Sequence, residues 1–561
     1  MKVRVAGRKT RPGLLAGTLL LAALVGCKVG PNYKAPMPRL EQEWMDADHP
    51  GVQRGPAELT AWWTTLNDPV LDELIQRAYQ NNPSLHAAAV RILEAQAARG
   101  IAVGLLFPQQ QEASGGFSWN QTSENAGAPQ LEGNTWVTRM GWVRDPFGSL
   151  VQRAAGAPGV DNVFHNWQAD FTIGWELDIW GRFQRGIEAA DAAVLASVAN
   201  YDDVLVSLMA EVATDYVLLR TLEEQLDIVH ENLKIQREGQ AVVQARRDAG
   251  TATELDLAQS QALVSDTEAQ IPATEASIRQ TRIAICILLG MPPQDITPLL
   301  GERRPIPTPP DTMHLGAPAE LLRRRPDIRR AERLLAAQSA NIGIAATDLY
   351  PHFSLVGSIG LAAEDFPDLF RGNSLQAFGG PSFRWAILNY GRIANNVRVQ
   401  DAAFQAAISD YENLVLRAQA EVEQAVAGYV GARQQIEPLT QSVDAAARAV
   451  AVAQQQYKGG IADYIRVLVA EQFLITEQSR LVATRGTAAQ ELVTLYRALG
   501  GGWELRLGND LVPAEIKAEM SERTYWGAMI DSDRFLEVQP AEAEAPESQS
   551  PETQPAGAGP S

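Results

Sequence analysis

The sequence predicts an α+β membrane protein made of two internal repeats. Four strands per chain contribute to a β-barrel shared between chains, and that barrel continues into a long α-helical coiled-coil barrel. Three observations carry this reading. Residues 326–503 repeat the organisation of residues 83–290, short segments alternate apolar and polar residues, and two very long stretches keep a seven-residue apolar period.

The repeat is visible in register. Pro83 to Pro108 and Pro326 to Pro351 each span 25 positions, at an offset of 243, with Ala88/Ala331, Gly100/Gly343, Ile101/Ile344 and Ala102/Ala345 matching. Further along, the offset becomes 210. Trp175 aligns with Trp385, Gly181-Arg182 with Gly391-Arg392, Tyr201 with Tyr411, Gly250 with Gly460, and Leu289-Gly290 with Leu499-Gly500. The difference of 33 residues is extra length in the first copy, between Pro108 and Trp175. Two copies of one unit imply a pseudo-symmetric body rather than two unrelated domains.

The chain divides into a signal (1–26), an N-terminal segment (27–66), a first repeat (67–290), a proline-rich connector (291–318), a second repeat (319–503) and a C-terminal extension (504–561). The signal has a basic start, with Lys2, Arg4, Arg8, Lys9 and Arg11, and a short apolar core from Leu14 to Val25. That core is too short to remain in a bilayer as a span. It ends in Leu24-Val25-Gly26-Cys27, which resembles a bacterial lipoprotein box, so cleavage before Cys27 and acylation of its thiol and new amine are expected. Lys28 follows, where an Asp would suggest retention at the inner membrane.

No other segment approaches the length of a transmembrane helix, so any crossing has to use strands. Cys286 is the only other cysteine; it has no intrachain partner and reads as a small buried apolar residue. The formal charge is −19, and removing the five basic residues of the signal leaves −24. So acidic an exported chain is a poor partner for nucleic acid. The tail 537–561, rich in Pro, Ala and Glu, has almost nothing to bury and reads as disordered.

Each repeat opens with helices. Asn67-Asp68-Pro69 and Asn82-Pro83 place a capping side chain before a proline at the first helical position, and Leu71, Leu74, Ile75 and Ala78 form an apolar stripe. Alternation then takes over. In residues 166–180, Trp167, Ala169, Phe171, Ile173, Trp175, Leu177 and Ile179 fall on one side, and Gln168, Asp170, Thr172, Gly174, Glu176 and Asp178 on the other. Weaker alternation marks 111–119, 352–361 and 381–388 as further strands. The length, the apolar row and the terminal tryptophans fit membrane strands with an aromatic girdle. Four strands cannot close a barrel, since single-chain membrane barrels start at about eight. Several chains therefore have to share one.

The helices that follow are long. Leu205, Leu208, Val212, Leu219, Leu222, Leu226, Val229 and Leu233 keep heptad spacing, with Asp215 in one seam slot. The second seam runs through Val415, Ala418, Val422, Ala425, Tyr429, Ala432, Ile436, Leu439, Val443, Ala446 and Val450, with a kink expected at Pro438. From Arg185 to Asp248 such a helix reaches roughly 95 Å at about 1.5 Å per residue. Each long helix ends at a tight turn capped by Gly250 or Gly460, from which a return helix starts.

The segments "CKVGPNYKAP", "WWTTLNDPVLDELIQRAYQNNPSL", "WELDIWGR", "AGTATELDLAQSQ", "LLRRRPDIRRAERLLAAQSANIGIAATDLYP" and "NYGR" resemble the TolC-like outer-membrane efflux channels. The closer likeness is to the lipoprotein (NodT-like) branch paired with resistance-nodulation-division (RND) pumps. The resemblance covers roughly residues 27–503. It implies a homotrimer with a twelve-stranded barrel in outer-membrane lipid and an α-helical barrel below. A periplasmic adaptor and an inner-membrane RND-type pump feed substrate into it. No cofactor is implied beyond the covalent lipid on Cys27.

At the narrow end, the resemblance makes Asp256, Asp463, Tyr464, Ile465 and Arg466 gate candidates, but Arg466 and Val469 stand where relatives place acids. Asp256 and Arg466 are equivalent by the 210 offset, so a threefold assembly would gather rings of opposite charge there, with Ile465 narrowing the aperture.

An enzyme is disfavoured. The six histidines (49, 86, 165, 230, 314 and 352) are scattered, no Cys/His cluster has metal-ligand spacing, and neither a Gly-x-Ser-x-Gly elbow nor a phosphate-binding glycine loop is present. A duct for type I protein secretion and a non-conducting coiled-coil scaffold lipoprotein are the other readings.

Overall fold

Capping side chains set where the helices begin, as their sequence context predicts. The computed structural model describes residues 28–41, 43–55, 59–121 and 163–535. Asp68 accepts from the Val70 N–H at 3.0 Å and starts α1 (Pro69–Asn81). Asn82 accepts from Ser84 and Leu85 at 2.9 and 3.1 Å and starts α2 (Pro83–Gly104). Strand β1 (Val52–Arg54) precedes them, and β2 (Gln110–Gln121) and β3 (Val163–Glu176) follow. Helices α3 (Arg182–Asp248) and α4 (Glu254–Leu288) complete the first series.

The series then recurs as α5 (Pro326–Thr347), β5 (His352–Ala363), β6 (Leu375–Arg384), α6 (Arg392–Lys458) and α7 (Tyr464–Ala498), after a short β4 (Met313–Leu315). The corresponding helices are equal in length: 22, 67 and 35 residues in each series. Equivalent residues also make equivalent bonds. Trp175 Nε1 donates to the Leu106 carbonyl at 3.1 Å and Trp385 Nε1 to that of Leu349 at 3.0 Å. Asn82 Nδ2 donates to the Leu288 carbonyl at 2.9 Å, and Arg325 Nη1 to the Ala498 carbonyl at 3.0 Å. Helix α8 (Ala514–Arg523) and a 3-10 helix (Gly527–Phe535) close the described chain.

Among the described residues the chain forms two compact units, each drawing on both series. One takes residues 28–38, 94–121, 163–197 and 330–413; the other takes 39–93, 198–329 and 414–535. The first holds an antiparallel sheet in the order β2-β3-β5-β6. Its register aligns Phe117 with Trp167, Phe171 with Ile359, Trp175 with Leu355, and Phe353 with Phe383 on one face. Ser114 with Asp170, Thr172 with Ser358, and Ser354 with Ser382 lie on the other. One face is thus mainly apolar and the other mainly polar, with Val356 and Phe378 on the latter, since successive side chains alternate. The apolar face is not covered: Phe117, Phe171, Ile359 and Phe383 are all exposed.

Two expectations are corrected and one feature is added. The strand ends at Glu176 rather than running to Trp180, because the Asp178 carboxylate accepts from the Phe183 and Gln184 N–H groups and turns the chain into α3. Leu177, Ile179 and Trp180 belong to that turn. The last strand is 375–384 and not 381–388; it pairs along β5 from Leu361↔Leu375 to His352↔Arg384, and the pair Gly379-Gly380 hid its alternation. A parallel pair of three-residue strands, β1 and β4, was not foreseen. In addition, α3 does hold an 18-residue stretch apolar enough to cross a bilayer, but 61% of it is buried inside the protein, so it serves as core.

The second unit is a helix bundle. The heptad seams are buried as predicted, with Leu222, Ile436 and Val443 only partly covered. Asp215 is half-buried, and burial, helped by neighbouring Glu211, pushes its carboxyl up from the ordinary range. Helix α6 continues through Pro438, and α4 through Pro272. Cys286 is wholly buried and free. The lipobox residues Leu24, Val25, Gly26 and Cys27, the extra length at 122–162 and the acidic tail all lie outside the described residues.

Candidate functional site

The two helix-to-helix turns converge on one small core at the end of the bundle. In the first, Gly250 N–H bonds Arg247 O and Thr251 N–H bonds Arg246 O, both at 2.8 Å; in the second, Gly460 bonds Tyr457 O and Ile461 bonds Gln456 O at 3.0 and 2.9 Å. This double closure needs a left-handed residue, and Gly250 (φ +74°) and Gly460 (φ +73°) supply it. Beneath the turns, Val243, Leu257, Ala453, Tyr457, Tyr464 and Val467 pack together, so all four long helices meet there.

The predicted gate residues take different parts. Asp256 is held in a capping box: its N–H bonds Thr253 Oγ1 at 3.1 Å, and its carboxylate accepts from the Thr253 N–H at 2.9 Å. Asp463 caps α7 without a side-chain bond. Tyr464 is only 2% exposed and meets the Tyr457 ring edge-on at 5.5 Å, so within the chain it is core. Burial pushes its hydroxyl well above the usual phenol range. Ile465 and Arg466 face outward. No ion pair joins Asp256 to Arg466 within one chain; the ion pair at the first turn is instead Arg247–Glu254 at 2.6 Å. Arg246 lies 4.5 Å over the Tyr457 ring and donates to its carbonyl, linking the turns. Leu255, Ile461, Ile465, Val469 and Phe473 form an exposed apolar surface around the end.

A polar group inside the bundle was missed. Glu471 is 2% exposed; one of its oxygens accepts from Gln454 at 2.9 Å and the other has no partner. Gln236, also 2% exposed, leaves both amide atoms unpaired. Tyr464, Val467, Glu471 and Leu474 keep heptad spacing, so an acid in a seam slot was the signal available. Burial pushes the Glu471 carboxyl above its ordinary 4.5, against the opposing Gln454 bond. A raised carboxyl favours the folded state fully below the ordinary value, and that contribution is lost as pH rises through the raised one. Glu471→Gln is therefore expected to raise the thermal midpoint at neutral pH and leave it nearly unchanged near pH 4.5. Equal shifts at both pH values would show that Glu471 is ionised throughout.

The sheet-bearing unit holds a second constructed feature. The first described residues, from Lys28, are clamped onto the start of α3. The guanidinium of Arg185, 4% exposed, donates to the Val29 and Gly30 carbonyls at 3.2 Å, to Asn32 Oδ1 at 2.9 Å and to Glu188 at 2.7 Å. Val29 N–H bonds the Trp180 carbonyl at 3.1 Å, and Lys28 Nζ pairs with Glu188 at 2.5 Å. Gly30 (φ +92°) lies so close to α5 that a Cβ would meet Gly343 Cα at 2.5 Å. Sequence spacing cannot reveal a clamp whose halves are about 155 residues apart.

Comparison with known proteins agrees with this architecture. The sequence profile of the outer membrane efflux proteins matches residues 74–291 and 317–501. The chain is 29% identical over 443 residues to the pyoverdine export outer membrane protein OpmQ of Pseudomonas putida, covering 79% of this chain and 88% of that one. It is 28% identical over 498 residues to the toluene efflux pump outer membrane protein TtgF of Pseudomonas putida, covering 86% and 96%. The fold is similar to that of the outer-membrane channel OprN, with a TM-score of 0.74 and 29% identity over 85% of this chain and all of that one. The chain belongs to the outer membrane efflux protein family.

Proposed function

We propose that three copies of this chain close one twelve-stranded barrel in the outer membrane and one helical barrel in the periplasm, as the passive exit duct of a tripartite efflux pump. The carrying observation is the sheet: most of its aromatic and aliphatic side chains lie on one face, and β2 and β6 stand unpaired at its edges among the described residues. Unpaired edges are untenable in lipid, and closure removes them. The clamp on Lys28–Asn32 supports a lipid on Cys27, because it fixes the segment that follows that residue to the turn after β3. The exposed apolar surface around Ile465, Val469 and Phe473 suits contact with neighbouring copies or a periplasmic adaptor, and an inner-membrane RND-type pump would supply the energy. The relatives named for toluene and pyoverdine favour small organic substrates over secreted proteins.

Reconstitution into a planar bilayer tests this reading. The full-length protein is expected to give step-like currents from a trimeric species, and Cys27→Ser to lose palmitate labelling. A monomer in mild detergent that passes no current would favour the scaffold alternative.

A further inference from the structure

Two apolar clusters near the helix ends flank one polar layer. The first is the end core around Tyr457, Tyr464 and Val467; the second packs Ala446, Val450 and Leu474 with Ile235. Glu471 of α7 stands between them, in the seam slot that follows Val467 and precedes Leu474. Its Oε1 accepts from Gln454 of α6 at 2.9 Å and lies 3.5 Å from where a Cβ on Gly239 of α3 would be. Its Oε2 is buried without a partner, and so are both amide atoms of Gln236, the α3 residue nearly one turn before Gly239.

This layer is particular to the second series. At the repeat offset of 210, Glu471 corresponds to Gln261, which is exposed, and Gln454 to Gln244, which donates to Asp248 at 2.8 Å instead. A polar residue in a heptad seam lowers stability and confers specificity.

What Glu471 confers depends on its proton. Protonated, the carboxyl is neutral and has an O–H to donate; ionised, it only accepts, and Oε2 has no donor among the described residues. The charged and titratable groups facing this end are Arg246 of α3, engaged with Tyr457, and Asp256 of α4, closed in its capping box, with the hydroxyls of Tyr457 from α6 and Tyr464 from α7. None of them forms an ion pair with Glu471, and burial pushes both hydroxyls up, so they stay neutral wherever the carboxyl titrates. A buried carboxylate without a cation has to be hydrated, and water entering the layer parts the end core from the cluster behind it.

We infer that Glu471 is a proton-operated latch on the helix ends: while it keeps its proton the four helices stay packed, and losing the proton loosens both turns. Taken with the duct reading, on which this step rests, the channel opens more readily as pH rises. The direction follows from burial, which displaces the carboxyl upward from its ordinary 4.5. The packed ends therefore hold the proton more tightly than the loosened ends, and each pH unit between the two values shifts the balance by up to about tenfold.

Amide exchange and single-channel current of the full-length protein, each near pH 5 and near pH 8, test the latch. In the parent, exchange across residues 240–265 and 450–470, corrected for the intrinsic effect of pH, is expected to rise about tenfold between the two, with the current rising in step. Glu471→Gln and Glu471→Leu have no proton to lose and are expected to stay near the parent's low-pH level at both. Equal rises in the parent and both variants would overturn the latch and leave the duct intact. A switch in exchange with no current from any form at either pH would overturn the duct and leave the latch.

Discussion

Asp202→Ala is expected to destabilise the helical unit by about 3–5 kcal/mol, because it strands the buried Arg506 and the partly buried Arg329. Asp202 is wholly buried in α3. Arg329 donates to Oδ2 at 2.7 Å, and Arg506 grips both oxygens, with Nη2 at 3.3 Å from Oδ2. Both guanidiniums lie over the Trp503 ring, at 4.6 and 5.6 Å, so neither can turn to water freely. The carboxylate thereby joins α3, the start of α5 and the segment after α7. Asp202→Asn keeps the shape and removes the charge, and is expected to fall between Ala and the parent. Urea unfolding followed by helical circular dichroism measures both. A loss under about 1 kcal/mol for Ala would place the network with exposed ion pairs, which contribute little.

Tyr464→Ala is expected to open the helix ends. The side chain fills the core shared by α3, α4, α6 and α7, and truncating a large buried ring costs roughly 3–5 kcal/mol through lost burial and the cavity left behind. That loss is local, so amide exchange is expected to rise across residues 240–265 and 450–470 while the sheet keeps its protection. In the bilayer, the same variant is expected to conduct more than the parent. Tyr464→Phe retains the ring and loses only the hydroxyl bond to Ser260, at a cost of about 0.5–1.5 kcal/mol. Unchanged exchange and unchanged current in Tyr464→Ala would locate the constriction elsewhere, with Ile465 and Arg466 the next residues to replace.

Much of the candidate site was legible before the structure. Gly250 and Gly460 close their turns as the sequence around them predicts, and Asp256 lies at the first tip where the spacing puts it. What differed was direction. Tyr464 follows the cap Asp463 and precedes the exposed Ile465, and only the packing of four helices decides that its ring turns inward while its neighbour faces out. The Asp256–Arg466 pairing was drawn between neighbouring helices of a threefold assembly; within one chain the Asp256 carboxylate accepts from the Thr253 N–H.

The sequence by itself determined the helix starts at Pro69 and Pro83, the buried seams of α3 and α6, the alternation of β3 and the equal lengths of the two series. Each of these depends on hydrogen bonds or periodicities that close within a few residues. The tertiary structure decided the end of β3 at Glu176, the position of β6, the clamp of Arg185 on the N-terminal segment, and the burial of Asp202 and Glu471. These depend on partners brought together from distant parts of the chain, where burial and the pairing of charges outweigh local preference, and spacing along the chain carries no record of which distant groups will meet.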